Sequence, residues 1–378
     1  MTVYTDVKGV VIMKVRALVK RVIPSAFMQR ARAWRRTVEQ AILSIYGRSR
    51  LGSLIYYTFF SSAFRREFFA VAYGRFKYEE ENLTRQNVEY KLRRNVHRLE
   101  KGLIMRPRRP VFAIDFIEET IDAYARRLAD QQLENGSGDQ QEVQWAQDVL
   151  TSYFEVTAPH PTIDAARVRF EEVQQETPLT STSQRRFAPY KRDLSGPPPV
   201  TYDDLLRLAQ RRRSVRWFLP RPVPRELVDK AIRVAALSPS ACNRQPFQFR
   251  IFDDPQMVRK VADLPPGASG FATNIPMMIV VVGRQRAYFN ERDRHVIYID
   301  AALATMAFVL ALETVGLSSV CINWPDIEGR EEDMARLLHL EPDERPVVSI
   351  AVGYPDPEAL VAFSAKKELH NLRRYNAL

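Results

Sequence analysis

The chain has 378 residues, 46% of them hydrophobic, enough for a sizeable core and about two or three domains. Its formal net charge is +11, but the imbalance is local: residues 1–50 hold eleven Lys/Arg against Asp6 and Glu39, a segment charge of +9, and no zinc-finger or RNA-recognition signature points to nucleic acid. Cys242 and Cys321 are the only cysteines, which excludes a disulfide framework or a metal site built from cysteines alone and fits a reducing, cytoplasmic compartment.

Taken in order, residues 1–50 form a basic helical segment. Between its lysines and arginines lie Val10, Val11, Met13, Val15, Leu18, Val19 and Val22, and Pro24 breaks the run. Residues 8–50 therefore suit either a peripheral contact with an anionic membrane surface or a helix packed on the rest of the protein. The start lacks the pattern of a secretory signal. Residues 51–156 read as a helical N-terminal domain. Its first part is dense in aromatics (Tyr56, Tyr57, Phe59, Phe60, Phe64, Phe68, Phe69), as cores and interfaces are. Arg65, Arg66 and Glu67 interrupt it, against a membrane-spanning helix. The spacing of Leu83, Val88, Leu92, Val96 and Leu99 predicts one amphipathic helix over 78–101, closed by Gly102. His97 and Glu100 stand at i, i+3 on it, as a surface ion pair or as a ligand pair. Two more helices are predicted over 114–133 and 139–156. Residues 157–199, rich in Pro, Thr, Ser, Gln and charge, read as a linker.

From residue 200 helices alternate with strands. Strands are predicted over 247–252, 275–283, 317–322 and 346–353, and a long apolar helix over 298–315 ends at Gly316. Strands alternating with helices argue an α/β sheet with helices on its faces over 200–378. No Walker A sequence, no Gly-x-Gly-x-x-Gly after a strand, no metal-binding His-Glu-x-x-His and no Gly-x-Ser-x-Gly elbow occurs.

Two stretches of this half carry the chemistry. Arg211, Arg212, Arg213, Ser214 and Arg216 crowd the end of a predicted helix. Guanidinium groups and a hydroxyl can clamp a phosphate there, although a solvated basic helix end fits the same residues. Past one helix, residues 238–249 read SPSACNRQPFQF. The string RRSVRWF, a Pro-rich connector, a helix and then SPSACNRQPFQF resemble the flavin-dependent nitroreductase family, over residues 200–378. The stretch HRLEKGL at 97–103, before RPRRPVF, is similar to N-terminally extended members from bacterial polysaccharide gene clusters.

That resemblance implies an α+β fold, a nitroreductase-like FMN-binding sheet flanked by helices, preceded here by a mostly α-helical N-terminal region. It implies a homodimer with the flavin at the interface, and NADH or NADPH as co-substrate. It assigns Arg212, Arg213, Ser214 and Arg216 to the phosphate and ribityl end. It assigns Pro239, Ser240, Asn243 and Gln245 to a turn that reaches the flavin from the second subunit. Lys366 and Lys367 match the family's late basic pair, with Lys366 where an arginine usually stands; a lysine keeps the charge and loses the bidentate fork. The loop 323–329 would lie over the ring. Electrons would pass from the nicotinamide through flavin to a small-molecule acceptor in two half-reactions, with no side chain needed as a covalent catalyst. His295 or Tyr298 could give a proton to a substrate, or be plain surface groups. A non-catalytic scaffold in surface-polysaccharide synthesis, or a flavoprotein that oxidises a sugar or peptide intermediate, are the alternatives.

Overall fold

The computed structural model describes residues 25–84, 88–133, 140–179 and 186–376. The first part of the basic run, 8–24, lies outside them. The chain divides into two compact units, Met1–Arg66 and Glu67–Leu378. In the first, α1 (Ser25–Tyr46) precedes α2 (Arg50–Ile55), which continues as a π turn over Tyr56–Phe60. The Ser49 hydroxyl caps α2 by accepting from the Gly52 amide at 3.1 Å. Tyr46 stacks on Tyr56, and Tyr57 meets Phe64 edge-on. Leu51, Leu54, Phe59 and Phe60 face outward.

The second unit, which begins within α3 (Arg65–Thr84), holds a helical core and a sheet. The helical core is built from α4 (Glu89–Leu103), α5 (Ile117–Leu133), α6 (Gln140–Val156) and α7 (Pro161–Glu176). Leu92, Val96 and Leu99 of α4 lie on one stripe and meet Ile117, Ile121 and Tyr124 of α5 and Leu150 and Tyr153 of α6. The single helix expected over 78–101 is two, since α3 ends at Thr84 and Leu83 is exposed. Gly102 is inside α4 rather than past its end. A Cβ there would collide with the Phe112 ring, so close packing, not turn geometry, requires glycine. α7 falls in the stretch read as linker. His160 caps it, Pro161 takes its first position, and Ile163, Ala166, Phe170 and Val173 bury its inner face.

The sheet has the order β1–β2–β4–β3, all neighbours antiparallel: β1 (Phe247–Phe252), β2 (Met277–Arg284), β4 (Glu344–Gly353) and β3 (Ser318–Asn323). This is the expected α+β arrangement. β2 is buried on both faces, so its side chains alternate between two cores. Met277, Ile279 and Val281 pack under α9 (Arg225–Ala235) and α11 (Val296–Thr314). Met278, Val280 and Val282 pack under α10 (Pro255–Ala262) and α12 (Glu328–Leu338). The register skips between Val281 and Val282, beside Pro346, which has no N–H to give the ladder. Among the described residues one stretch, Glu291–Thr314, is long and apolar enough to cross a membrane. Half of it is buried against the fold.

Candidate functional site

α8 (Tyr202–Arg211) starts at Thr201, whose hydroxyl accepts from the Asp204 amide at 3.2 Å. It stops at Arg212, where the backbone turns extended. The chain then lies parallel to the sheet edge, with the Val215 amide donating to the Ser319 carbonyl at 3.1 Å. Buried Val215 and Phe218 anchor this segment. Phe218 packs so tightly on Gly353 that a Cβ there would lie 2.7 Å from its ring. Strand alternation around Val215 sends Ser214 and Arg216 to the other side. Arg212, Arg213 and Ser214 are half-buried and Arg216 is exposed.

Two polar groups of this segment are unused. Arg212 Nε is buried without a hydrogen-bond partner, and no hydrogen bond of the Ser214 hydroxyl occurs among the described residues. A buried guanidinium N–H left unmade costs about 1–3 kcal/mol, and a phosphate oxygen would satisfy it. The segment is tied to the end of α11: Arg211 pairs with buried Glu313 at 3.4 Å, and the Ser318 hydroxyl donates to Glu313 at 2.9 Å. Burial pushes the Glu313 carboxyl up, against the pull of Ser318, Arg211 and Arg212. Lys366 and Lys367 stand exposed on the stretch that follows β4.

The turn after α9 is held differently. Cys242, Asn243 and Gln245 have φ of 53°, 50° and 51°, left-handed values that cost a non-glycine residue about 1–3 kcal/mol each unless surroundings enforce them. They are enforced from several sides. The Ser240 hydroxyl accepts from the Gln245 amide at 3.0 Å, and its carbonyl accepts from the Asn243 amide at 3.0 Å. The Ala241 amide donates to Asp300 Oδ2 at 3.0 Å, and the Tyr288 hydroxyl donates to the same oxygen at 3.0 Å. Burial holds the Asp300 carboxyl above the usual range, against these two donors. Both ends of the Gln245 amide are engaged, its Nε2 donating to the Ala236 carbonyl at 2.9 Å and its Oε1 accepting from Arg93 at 3.0 Å. No hydrogen bond of the Asn243 side-chain amide occurs among the described residues, and Asn243 lines a cavity of about 210 Å³ with Arg93, Gln141, Glu142, Trp145 and Phe187.

Sequence reasoning missed Arg93, Glu142 and Asp300. The available signal was Arg93 itself, beside Leu92 and three residues before Val96 on an otherwise apolar stripe. His97 Nδ1 stands 3.7 Å from Glu100 Oε2, and the other oxygen of Glu100 accepts from the Trp145 indole at 3.0 Å. His295 is exposed at the start of α11, while burial pushes the Tyr298 hydroxyl up beside Arg345. The loop after β3 is pinned by Trp324, whose indole donates to buried Glu331 at 2.6 Å.

The clamp and the turn sit at opposite ends of one helix. Asp300 and Glu313 are thirteen residues apart on α11, about 20 Å along the axis at ~1.5 Å per residue. Between them Ile299, Leu303 and Met306 form an exposed apolar stripe at helical spacing.

The family model described as "Nitroreductase family" matches residues 209–267 and 255–354. A protein of Archaeoglobus fulgidus described as an NADH dehydrogenase/NAD(P)H nitroreductase is 31% identical over 162 residues, covering 41% of this chain and 88% of the relative. Its counterpart in Methanothermobacter thermautotrophicus is 28% identical over 156 residues, covering 41% of this chain and 80% of the relative. A solved structure of the same description from Parabacteroides distasonis is 27% identical, covers 46% of this chain and 98% of that one, and superposes with a TM-score of 0.40.

Proposed function

Because the chain belongs to the nitroreductase family, we propose that it is an FMN-dependent oxidoreductase drawing on NADH or NADPH, active as a homodimer whose two flavin sites are each lined by both copies. The observation that carries this reading is that Arg212 Nε and the Ser214 hydroxyl, two positions apart, have no hydrogen-bond partner among the described residues, at one end of a helix whose other end holds the Asn243 turn. In a single copy an exposed apolar stripe separates them. Two copies of α11 packed antiparallel about a two-fold axis would cover Ile299, Leu303 and Met306 and set each clamp beside the other copy's turn. Leu360 and Phe363 stand exposed on the same stretch as Lys366 and Lys367, and a second copy offers that stretch a surface to lie on.

In this assembly Arg212, Arg213, Ser214 and Arg216 hold the phosphate by charge-assisted bonds. The Asn243 amide, with one donor and one acceptor end, addresses a ribityl hydroxyl or the pyrimidine edge. Ser240 acts one step back, by fixing the backbone at Asn243 and Gln245. Bound FMN supplies the redox chemistry between the reduced nicotinamide and a small-molecule acceptor. The relatives' descriptions favour this reading over a scaffold or a sugar- or peptide-oxidising flavoprotein. The purified protein is expected to be yellow and to lose its visible absorbance on anaerobic titration with NADH or NADPH. A colourless protein that refuses added FMN contradicts the proposal.

A peripheral membrane contact is a further part of the proposal. The run 51–64 carries no charge and exposes Leu51, Leu54, Phe59 and Phe60, and exposed Arg48, Arg50 and Arg65 flank it. Apolar side chains between cations suit an anionic bilayer surface. The full chain is expected to co-sediment with vesicles containing phosphatidylglycerol and not with pure phosphatidylcholine. Phe59→Ser with Phe60→Ser should weaken that binding by about tenfold or more. Equal pelleting of the double variant would contradict it.

A further inference from the structure

We infer that Arg93 is a positioning residue for the flavin site, and that through it the helical region of residues 89–156 holds the Asn243 turn in its working shape. The inference rests on the assignment of that turn to FMN. It goes beyond that assignment because Arg93 lies on α4, outside the matched residues 209–354.

Each nitrogen of the Arg93 guanidinium is engaged. Nε donates to the Asn243 carbonyl at 3.0 Å, Nη2 to Gln245 Oε1 at 3.0 Å, and Nη1 to Glu142 Oε1 at 2.9 Å. Arg93 is 8% exposed and Glu142 is 2% exposed. Arg127 donates to the other Glu142 oxygen at 2.9 Å, so the carboxylate is held from α5 as well as α4. A planar fork fixed in this way is a rigid rule against which the turn is set. It grips two of the three residues with left-handed backbone, Asn243 and Gln245, and these are residues that would relax first if released. Within the turn itself, Ser240 and Asp300 secure only the backbone amides of Ala241, Asn243 and Gln245. The carbonyl of Asn243, and with it the peptide plane that leads from Asn243 towards Gln245, is held by Arg93. Asn243 borders the cavity walled by Arg93, Glu142, Trp145 and Phe187.

The consequence is that the helical region controls how tightly and in what environment the ring is held, without touching the flavin. The test compares Arg93→Met, Arg93→Lys and Arg127→Met with the unaltered protein, all as full-length chains. FMN affinity, the visible absorption band at saturating FMN, and the melting temperature are read for each. Arg93→Met should weaken FMN binding at least about tenfold and shift the flavin band at saturation. Arg93→Lys, which keeps the charge and one donor direction, should recover part of both. Arg127→Met loosens the same buried carboxylate and should lower the melting temperature while leaving the flavin band where it was. Two results would overturn the inference alone: unaltered FMN affinity and band in folded Arg93→Met, or the same band shift in Arg127→Met as in Arg93→Met. Should the unaltered protein itself refuse FMN, the flavin assignment falls first and the inference falls with it.

Discussion

Arg212→Glu is expected to leave a folded protein that no longer retains FMN, with a dissociation constant raised about a hundredfold or more. The estimate follows from the bonds at stake. A hydrogen bond to a charged group contributes about 1.5–3 kcal/mol, and Arg212 brings a buried Nε that has no partner among the described residues. Losing two such bonds corresponds to about 3–6 kcal/mol, and each 1.4 kcal/mol is a factor of ten. Arg212→Lys keeps the charge but loses the fork, so a smaller loss of about tenfold is expected. Fluorescence titration of FMN measures both. The fold should tolerate either change, since Arg212 lies just past the end of α8 and the segment beyond it is anchored by Val215 and Phe218. Retention of FMN at unchanged affinity by Arg212→Glu would place the phosphate elsewhere.

Leu303→Glu is expected to have an effect as large by a different route. Leu303 lies in the middle of the exposed stripe on α11 with Ile299 and Met306 on either side. Each of these side chains contributes about 1.5–3 kcal/mol when buried, and a dimer would bury a copy from both chains. A glutamate there removes that gain twice and sets two like charges against each other at the axis. The expected result is a monomer by light scattering, with the protomer's melting temperature little changed, because the side chain is exposed in the single chain. The monomer should bind FMN poorly, as each clamp then lacks a turn. A Leu303→Glu protein that is monomeric and yet holds FMN normally would mean that one chain suffices.

How much of this was legible beforehand differed along the chain. The sheet domain was readable because its signals are local. An unbroken apolar run marked β2, Gly316 marked the end of α11, and the arginine cluster and the Asn243 turn are each continuous in sequence. Their separation along α11 was not readable, because it depends on which helix passes between them. In the helical half, α7 was missed since its apolar residues Ile163, Ala166, Phe170 and Val173 are embedded in polar, Pro- and Thr-rich sequence. There the burial comes from packing on α5 and α6, not from composition. Arg93 shows the same limit. Its role comes from contacts with residues 142, 243 and 245, far along the chain, and nothing near it in sequence names them.

The central claim is that each flavin is held by two chains, and subunit complementation tests it most directly. Arg212→Glu and Asn243→Glu each remove one half of every site. Mixed in equal amounts, denatured and refolded together, they should give back about one quarter of the unaltered protein's FMN, because half the dimers are mixed and each mixed dimer rebuilds one site from intact halves. If clamp and turn served the same site within one chain, every site in the mixture would still carry a lesion, and no FMN would return.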